Sequence, residues 1–195
     1  MFLRSGSIAT AVFSAVPYAA AAEPAVGLIE RFYGSLSNTM KRSGTSSVAE
    51  KARLLSGPVN ATFDTATMTR LAIGPQWSLI AAGQQGAIQQ AFARFLVATY
   101  AKQIRNYSGE RFEVSQTTES RRIGTLVRSK IIDGGGSATL VDYIVTGGRA
   151  IDIYLNSSVS ELASRRAEFG SILANGGGTA LLNSLNERTN RLLAG

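Results

Sequence analysis

Apolar residues Val26, Ile29, Tyr33, Leu36 and Met40 recur every three or four positions from 24 to about 43. That spacing predicts an amphipathic helix, with Pro24 tolerated in its first turn. Ser47-Val48-Ala49-Glu50 has the form of a capping box and predicts a short second helix through Leu55, ended by Gly57-Pro58. Asp64 fits the N-cap of a third helix over 65–73, stopped by Gly74-Pro75. The longest helical period runs from 84 to 107 and carries Ile88, Phe92, Phe95, Leu96, Thr99 and Ile104 along one side.

Beyond Tyr107 the period changes from three or four to two. Phe112 and Val114 alternate with charged residues, and Ile123, Thr125, Val127, Ser129 and Ile131 form one face of a second strand. Val141, Tyr143 and Val145 alternate against Asp142 and Thr146, and Ile151, Ile153 and Leu155 complete a further strand. Gly134-Gly135-Gly136 makes one turn, and Gly147-Gly148 suits the two positive-φ positions of a tight hairpin. The pattern predicts a meander of about four antiparallel strands. Helical spacing then returns. Ser158-Val159-Ser160-Glu161 reads as a capping box before Leu162, Phe169, Ile172 and Leu173. Asn175-Gly176-Gly177-Gly178 closes that helix, and Leu181, Leu182, Leu185 and Leu192 mark a last one. The fold class is therefore α+β, in one domain.

The beginning of the chain obeys another rule. Arg4, the mostly apolar run 8–16, Pro17 and then Ala20-Ala21-Ala22 before Glu23 make the three-part pattern of a secretory leader. Residues 1–22 are expected to be that leader and 23–195 the mature domain. Twenty Lys and Arg against thirteen Asp and Glu give the whole chain +7. Loss of Arg4 with the leader leaves one charge fewer, +6. Export argues against nucleic acid as a partner, and the basic residues are scattered rather than blocked.

Cysteine and histidine are both absent. Without them there is no thiol nucleophile, no imidazole acid–base group and none of the usual zinc ligands, so neither a metal nor a cofactor is expected. Asp142 and Asp152 are the one pair of carboxylates on neighbouring strands, and solvent-facing positions or pairing with Arg128 or Arg149 are the ordinary expectation for them. Tyr143 and Asp142 are adjacent on a strand and point to opposite faces, so they cannot share a pocket. No catalytic set emerges. Large apolar side chains are spread over every element, but periodicity looks the same for a filled core and a hollow one.

A resemblance carries the reading further. Thr69-Arg70-Leu71-Ala72-Ile73-Gly74 is followed by Trp77 and by the 84–107 helix with Phe92-Ala93-Arg94-Phe95-Leu96 at its centre. Val127-Arg128-Ser129-Lys130-Ile131-Ile132-Asp133, Val141-Asp142-Tyr143, Ile151-Asp152-Ile153, Ser158-Val159-Ser160 and Arg165-Arg166-Ala167-Glu168-Phe169 come next, in that order. The series resembles the MlaC family, periplasmic phospholipid shuttles also called toluene-tolerance auxiliary proteins of an ABC lipid transport system. The stretch from Leu155 to Leu162 also looks like the hopanoid-biosynthesis-associated branch. Members usually carry a tryptophan after the hairpin turn, where this chain runs Gly147-Gly148-Arg149-Ala150, so the lipid stays open.

The resemblance implies a helix-wrapped sheet of the nuclear-transport-factor-2-like kind with an apolar cavity. It implies a phospholipid as ligand, with an inner-membrane ABC complex and an outer-membrane lipoprotein complex as partners. On this basis the cavity is expected between the sheet residues Val127, Ile131, Val141, Tyr143, Ile151 and Ile153 and the helical residues Leu71, Phe92, Phe95, Val159 and Leu162. Arg128 is the candidate for an anionic headgroup, or else a partner of Asp142. A scaffold with a solid core is the competing reading.

Overall fold

The computed structural model describes residues 22–104 and 107–195; apart from Ala22, the expected leader lies outside them. Among the described residues, five α-helices wrap one face of a five-stranded antiparallel sheet.

Helix α1 (Ala22–Ser43) buries the expected stripe of Val26, Ile29, Tyr33, Leu36 and Met40, joined by Phe32. Helix α2 (Val48–Thr62) begins as read, with the Ser47 hydroxyl accepting from the Glu50 N–H at 3.2 Å. It does not stop at Gly57-Pro58, however, and runs on to Thr62 with Pro58 inside it. An interior proline costs about 3 kcal/mol. Stopping there would forfeit the burial of Val59 and disturb the approach of Phe63, both wholly buried, at roughly 1.5–3 kcal/mol each. The apolar stripe outweighs the local breaker. Helix α3 (Thr65–Ile73) has the expected Asp64 cap, which accepts from the Thr67 N–H at 2.9 Å. A short 3-10 turn (Gly74–Leu79) leads to α4 (Ala82–Gln103). Helix α4 ends four residues earlier than its periodicity suggests, and the buried Lys51 Nζ donates to the Ile104 carbonyl at 3.1 Å.

The sheet runs in sequence order, β1 (Arg111–Arg121), β2 (Gly124–Ile132), β3 (Ala138–Thr146), β4 (Arg149–Leu155) and β5 (Val159–Ser160). Gly147 (φ 56°) and Gly148 (φ 75°) form the predicted two-residue turn between Thr146 and Arg149. The fifth strand, absent from the pattern reading, is two residues long and pairs with Tyr154 and Leu155. Its presence moves the start of α5 (Glu161–Leu193): the N-cap is Ser160, whose hydroxyl accepts from the Ala163 N–H at 3.0 Å, and not Ser158. Helix α5 is broken at Gly177 (φ 61°, ψ −162°), where the glycine run predicted an end.

Register assigns the faces. Phe112, Val114, Val127, Ser129, Ile131, Val141, Tyr143, Val145, Ile153 and Leu155 share the side facing the helices, whereas Leu126, Ile144 and Ile151 form a separate cluster on the other.

Candidate functional site

Between the inner face of the sheet and the helices lies a cavity of about 350 Å³, partly open to solvent, a size in the range of small-molecule sites. Tyr33 and Leu36 of α1, Met68 of α3, and Phe92, Leu96 and Tyr100 of α4 form one wall. Ile131, Val141, Tyr143, Ile153 and Leu155 form the other, and Leu162 of α5 closes it. The polar lining residues are Thr99, Gln103, Thr139, Glu161 and Arg165. Most of them stand where the last turns of α4 meet the first turns of α5. Arg165 Nη2 lies 3.2 Å from Glu161 Oε2, and its guanidinium stacks on the Phe95 ring at 4.9 Å.

One wall carries a chain of hydroxyls. Ser129 Oγ donates to the Val141 carbonyl, Tyr33 Oη and Ser129 Oγ are 2.6 Å apart, and Tyr143 Oη donates to Tyr33 Oη at 3.1 Å. A carbonyl can only accept, so the protons run one way, from Tyr143 through Tyr33 and Ser129 to Val141. Burial raises Tyr33 above the usual phenol range despite its hydrogen bonds. Burial pushes Tyr143 well above that range, and the neighbouring Tyr100 and Tyr33 add to it. Burial likewise raises Tyr100. These phenols therefore stay neutral donors in the working pH range, suited to fixing the wall and poorly suited to act as bases.

The two strand aspartates are not solvent-facing, contrary to the expectation above: both are buried. Asp152 Oδ1 accepts from the Ile153 and Leu162 N–H groups at 2.8 and 3.4 Å, and Oδ2 accepts from the Ser160 hydroxyl at 2.7 Å. It ties β4 to the start of α5. Asp142 is opposite Tyr154, not opposite Asp152, and faces the outer side of the sheet. Among the described residues no group of three or more Asp or Glu is arranged to hold a metal ion.

Six of the eleven residues expected in the cavity line it: Phe92, Ile131, Val141, Tyr143, Ile153 and Leu162. Val127 is on the same face but wholly buried, and Phe95 lies beneath Arg165 in an adjoining groove. Leu71 packs between the main core and the outer cluster. Ile151 is on the outer face because a bulge opposite Ile144 and Val145 makes it the extra residue of β4. Val159, placed in β5 rather than in a helix, is 50% exposed. Arg128 is also on the outer face, where it bonds Glu119 at 2.7 Å instead of Asp142. Tyr33, Leu36, Leu96 and Thr99 line the cavity from helix positions already marked by periodicity, but Arg165 and Glu161 carried no such signal.

The family profile described as MlaC protein matches residues 31–187. The chain belongs to the MlaC family. The MlaC match takes in every lining residue, from Tyr33 to Arg165. A similar solved structure is the phospholipid-binding protein from Ralstonia solanacearum, determined in complex with a phospholipid. It is 20% identical, with a TM-score of 0.72 over 86% of this chain and 98% of that one; at this identity the likeness establishes a shared MlaC-type fold. No curated protein matches the chain. No helix among the described residues is long and apolar enough to cross a membrane.

Proposed function

We propose that the protein is a periplasmic lipid carrier which holds the acyl chains of a phospholipid in the cavity between sheet and helices. In this reading residues 1–22 are an export leader and 23–195 the carrier. It shuttles lipid between an outer-membrane lipoprotein complex and an inner-membrane ABC complex. The observation that carries the proposal is the apolar cavity of about 350 Å³ in a chain whose family is MlaC. The phospholipid held by the similar Ralstonia protein supports it.

The energetics fit a courier. Burying a methylene is worth about 0.8 kcal/mol, so a chain of roughly fifteen carbons resists exposure to water by about 12 kcal/mol. A carrier without a membrane span has to enclose most of that length. Phe92, Leu96, Val141, Ile153 and Leu162 supply the apolar wall, and the phosphate stays at the mouth, because burying it unpaired costs several kcal/mol.

Protein purified from its natural envelope, extracted with solvent and analysed by mass spectrometry should yield phospholipid in near-stoichiometric amount. Triterpenoid masses would reassign the cargo to a hopanoid, and absence of any lipid would favour a solid scaffold. Val141→Arg or Leu162→Arg should abolish co-purifying lipid with the fold retained by circular dichroism. Unchanged lipid in those folded variants would refute the cavity as its seat.

A further inference from the structure

A second depression, of about 470 Å³, adjoins the cavity where α4 meets both ends of α5. Lys102, Arg165, Arg188 and Arg191 all line it, and among the described residues no carboxylate does. Thr99 and Arg165 line both spaces, so the apolar cavity and the basic groove share a boundary. The cations come from three separate places in the chain: the last turn of α4, the first turns of α5 and its final turns.

Several of these cations are held in place. Arg165 is 18% exposed, stacked on Phe95 and paired with Glu161. Arg188 pairs with Glu168, and Arg191 lies 3.9 Å from Glu187. Their carboxylate partners lie outside the groove lining, and Lys102 forms no ion pair among the described residues. Three of the four cations already have a carboxylate beside them, so Lys102 brings the uncompensated charge, and the guanidinium N–H groups not used in those pairs stay free to donate to a further anion. Guanidinium groups are well matched to phosphate oxygens. A lipid whose tails occupy the cavity and pass Thr99 brings its first charged group to Arg165. A zwitterionic headgroup would carry an ammonium toward the cations that cancels its phosphate; a net-anionic one keeps an uncompensated negative charge.

We infer that this groove seats the phosphate of a net-anionic lipid headgroup whose tails lie in the adjoining cavity. The inference rests on the carrier reading above. It replaces Arg128, which the sheet places on the far side.

The test offers the mature chain, stripped of lipid, vesicles containing equal amounts of phosphatidylglycerol, phosphatidylcholine and diacylglycerol with identical acyl chains. Native mass spectrometry reads the loaded species. The anionic lipid should exceed each of the others by roughly tenfold. Arg165→Gln, and separately Lys102→Gln with Arg191→Gln, should bring that ratio down to about threefold or less, the scale expected from partly exposed charges. Arg128→Gln should leave it unmoved. The exposed Lys102→Gln single variant keeps the test available if the Arg165 variant does not fold.

Equal loading of all three lipids, or an unchanged ratio in the groove variants, would overturn the headgroup seat and leave the carrier standing. Uptake of none of the three would overturn the carrier itself. Inorganic phosphate, compared with chloride at equal ionic strength, should not shift the ratio. Loss of the ratio in phosphate would assign the groove to the free ion instead.

Discussion

Val145 and Val141 stand four residues apart on β3, on the same face of the same sheet, and both are buried. Their surroundings differ. Val145 pairs with Ala150, which is bridged to Phe63 and whose carbonyl accepts from the Asp64 N–H at 3.0 Å. Phe63 in turn meets Phe32 edge-on at 5.1 Å and Tyr100 at 5.6 Å. This end of the sheet is closed by interlocked rings. Val141 pairs with Leu155, and both look into the cavity. Tyr143 lies between the two regions, 6.3 Å from the Phe63 ring and itself part of the cavity wall. One end of a single sheet face thus supplies the stability that lets the other end stay hollow. Interiors are normally close-packed, so a void kept beside a tightly packed aromatic cluster points to use rather than to poor fit.

Breaking the solid end should have the largest effect. Phe63→Ala removes a wholly buried ring and should cost about 3–5 kcal/mol, read from the urea unfolding midpoint. A loss as small as that of a cavity-wall residue would erase the distinction between the two ends.

The matched valines sharpen it further. Val145→Ala should cost about 2 kcal/mol, and Val141→Ala about 1 kcal/mol, because an existing void cannot lose contacts it never had. Equal costs in the lipid-free protein would mean that the cavity closes in solution.

The boundary gives a third, smaller contrast. Tyr33→Phe deletes the middle of the hydroxyl chain and one bond in each direction, toward Ser129 and from Tyr143. Tyr143→Phe deletes a single donor. At roughly 1 kcal/mol per bond, the first should lower stability by about twice as much as the second. The reverse order would show that the Tyr143 hydroxyl holds more than its bond to Tyr33, with Tyr100 as the neighbouring partner.

Much of this architecture was legible in the chain. Helical stripes identified the buried faces of α1 and α4, and Gly147-Gly148 marked the hairpin because both turn positions require positive φ. What escaped depended on neighbours far away in sequence. Pro58 reads as a stop until the burial of Val59 and Phe63 is weighed against it. Ile151 alternates correctly with Ile153 until a bulge shifts it to the outer face. Periodicity could not show the cavity; only the family resemblance pointed to it. Leu55 and Leu96 obey the same period, yet one is wholly buried in the core and the other lines a void. Arg165 stood in the resembling series without a role for a related reason: its importance comes from where α4 and α5 cross, which no local pattern records.

The smallest effect separates the two aspartates that fasten the ends of this structure. Burial alone would raise Asp64, but the Thr67 N–H and hydroxyl, with Arg70 and Arg149 nearby, hold it below its ordinary 3.8. Burial raises Asp152 above 3.8, and its bonds from Ser160, Ile153 and Leu162 offset this only in part. The signs are therefore opposite. Folded Asp64 gives up its proton more readily than the unfolded chain does, so its stabilisation is present above pH 3.8 and fades as the pH falls through its lower folded value. Folded Asp152 holds its proton more tightly, so the folded state gains as the pH falls from that raised value toward 3.8, and loses the gain on the way back up. In urea titrations across this acidic range, Asp64→Asn should flatten the acid-side loss of stability, and Asp152→Asn should steepen it. If both variants shifted the profile in the same direction, the bonds from Ser160, Ile153 and Leu162 would outweigh burial and hold folded Asp152 below 3.8 instead.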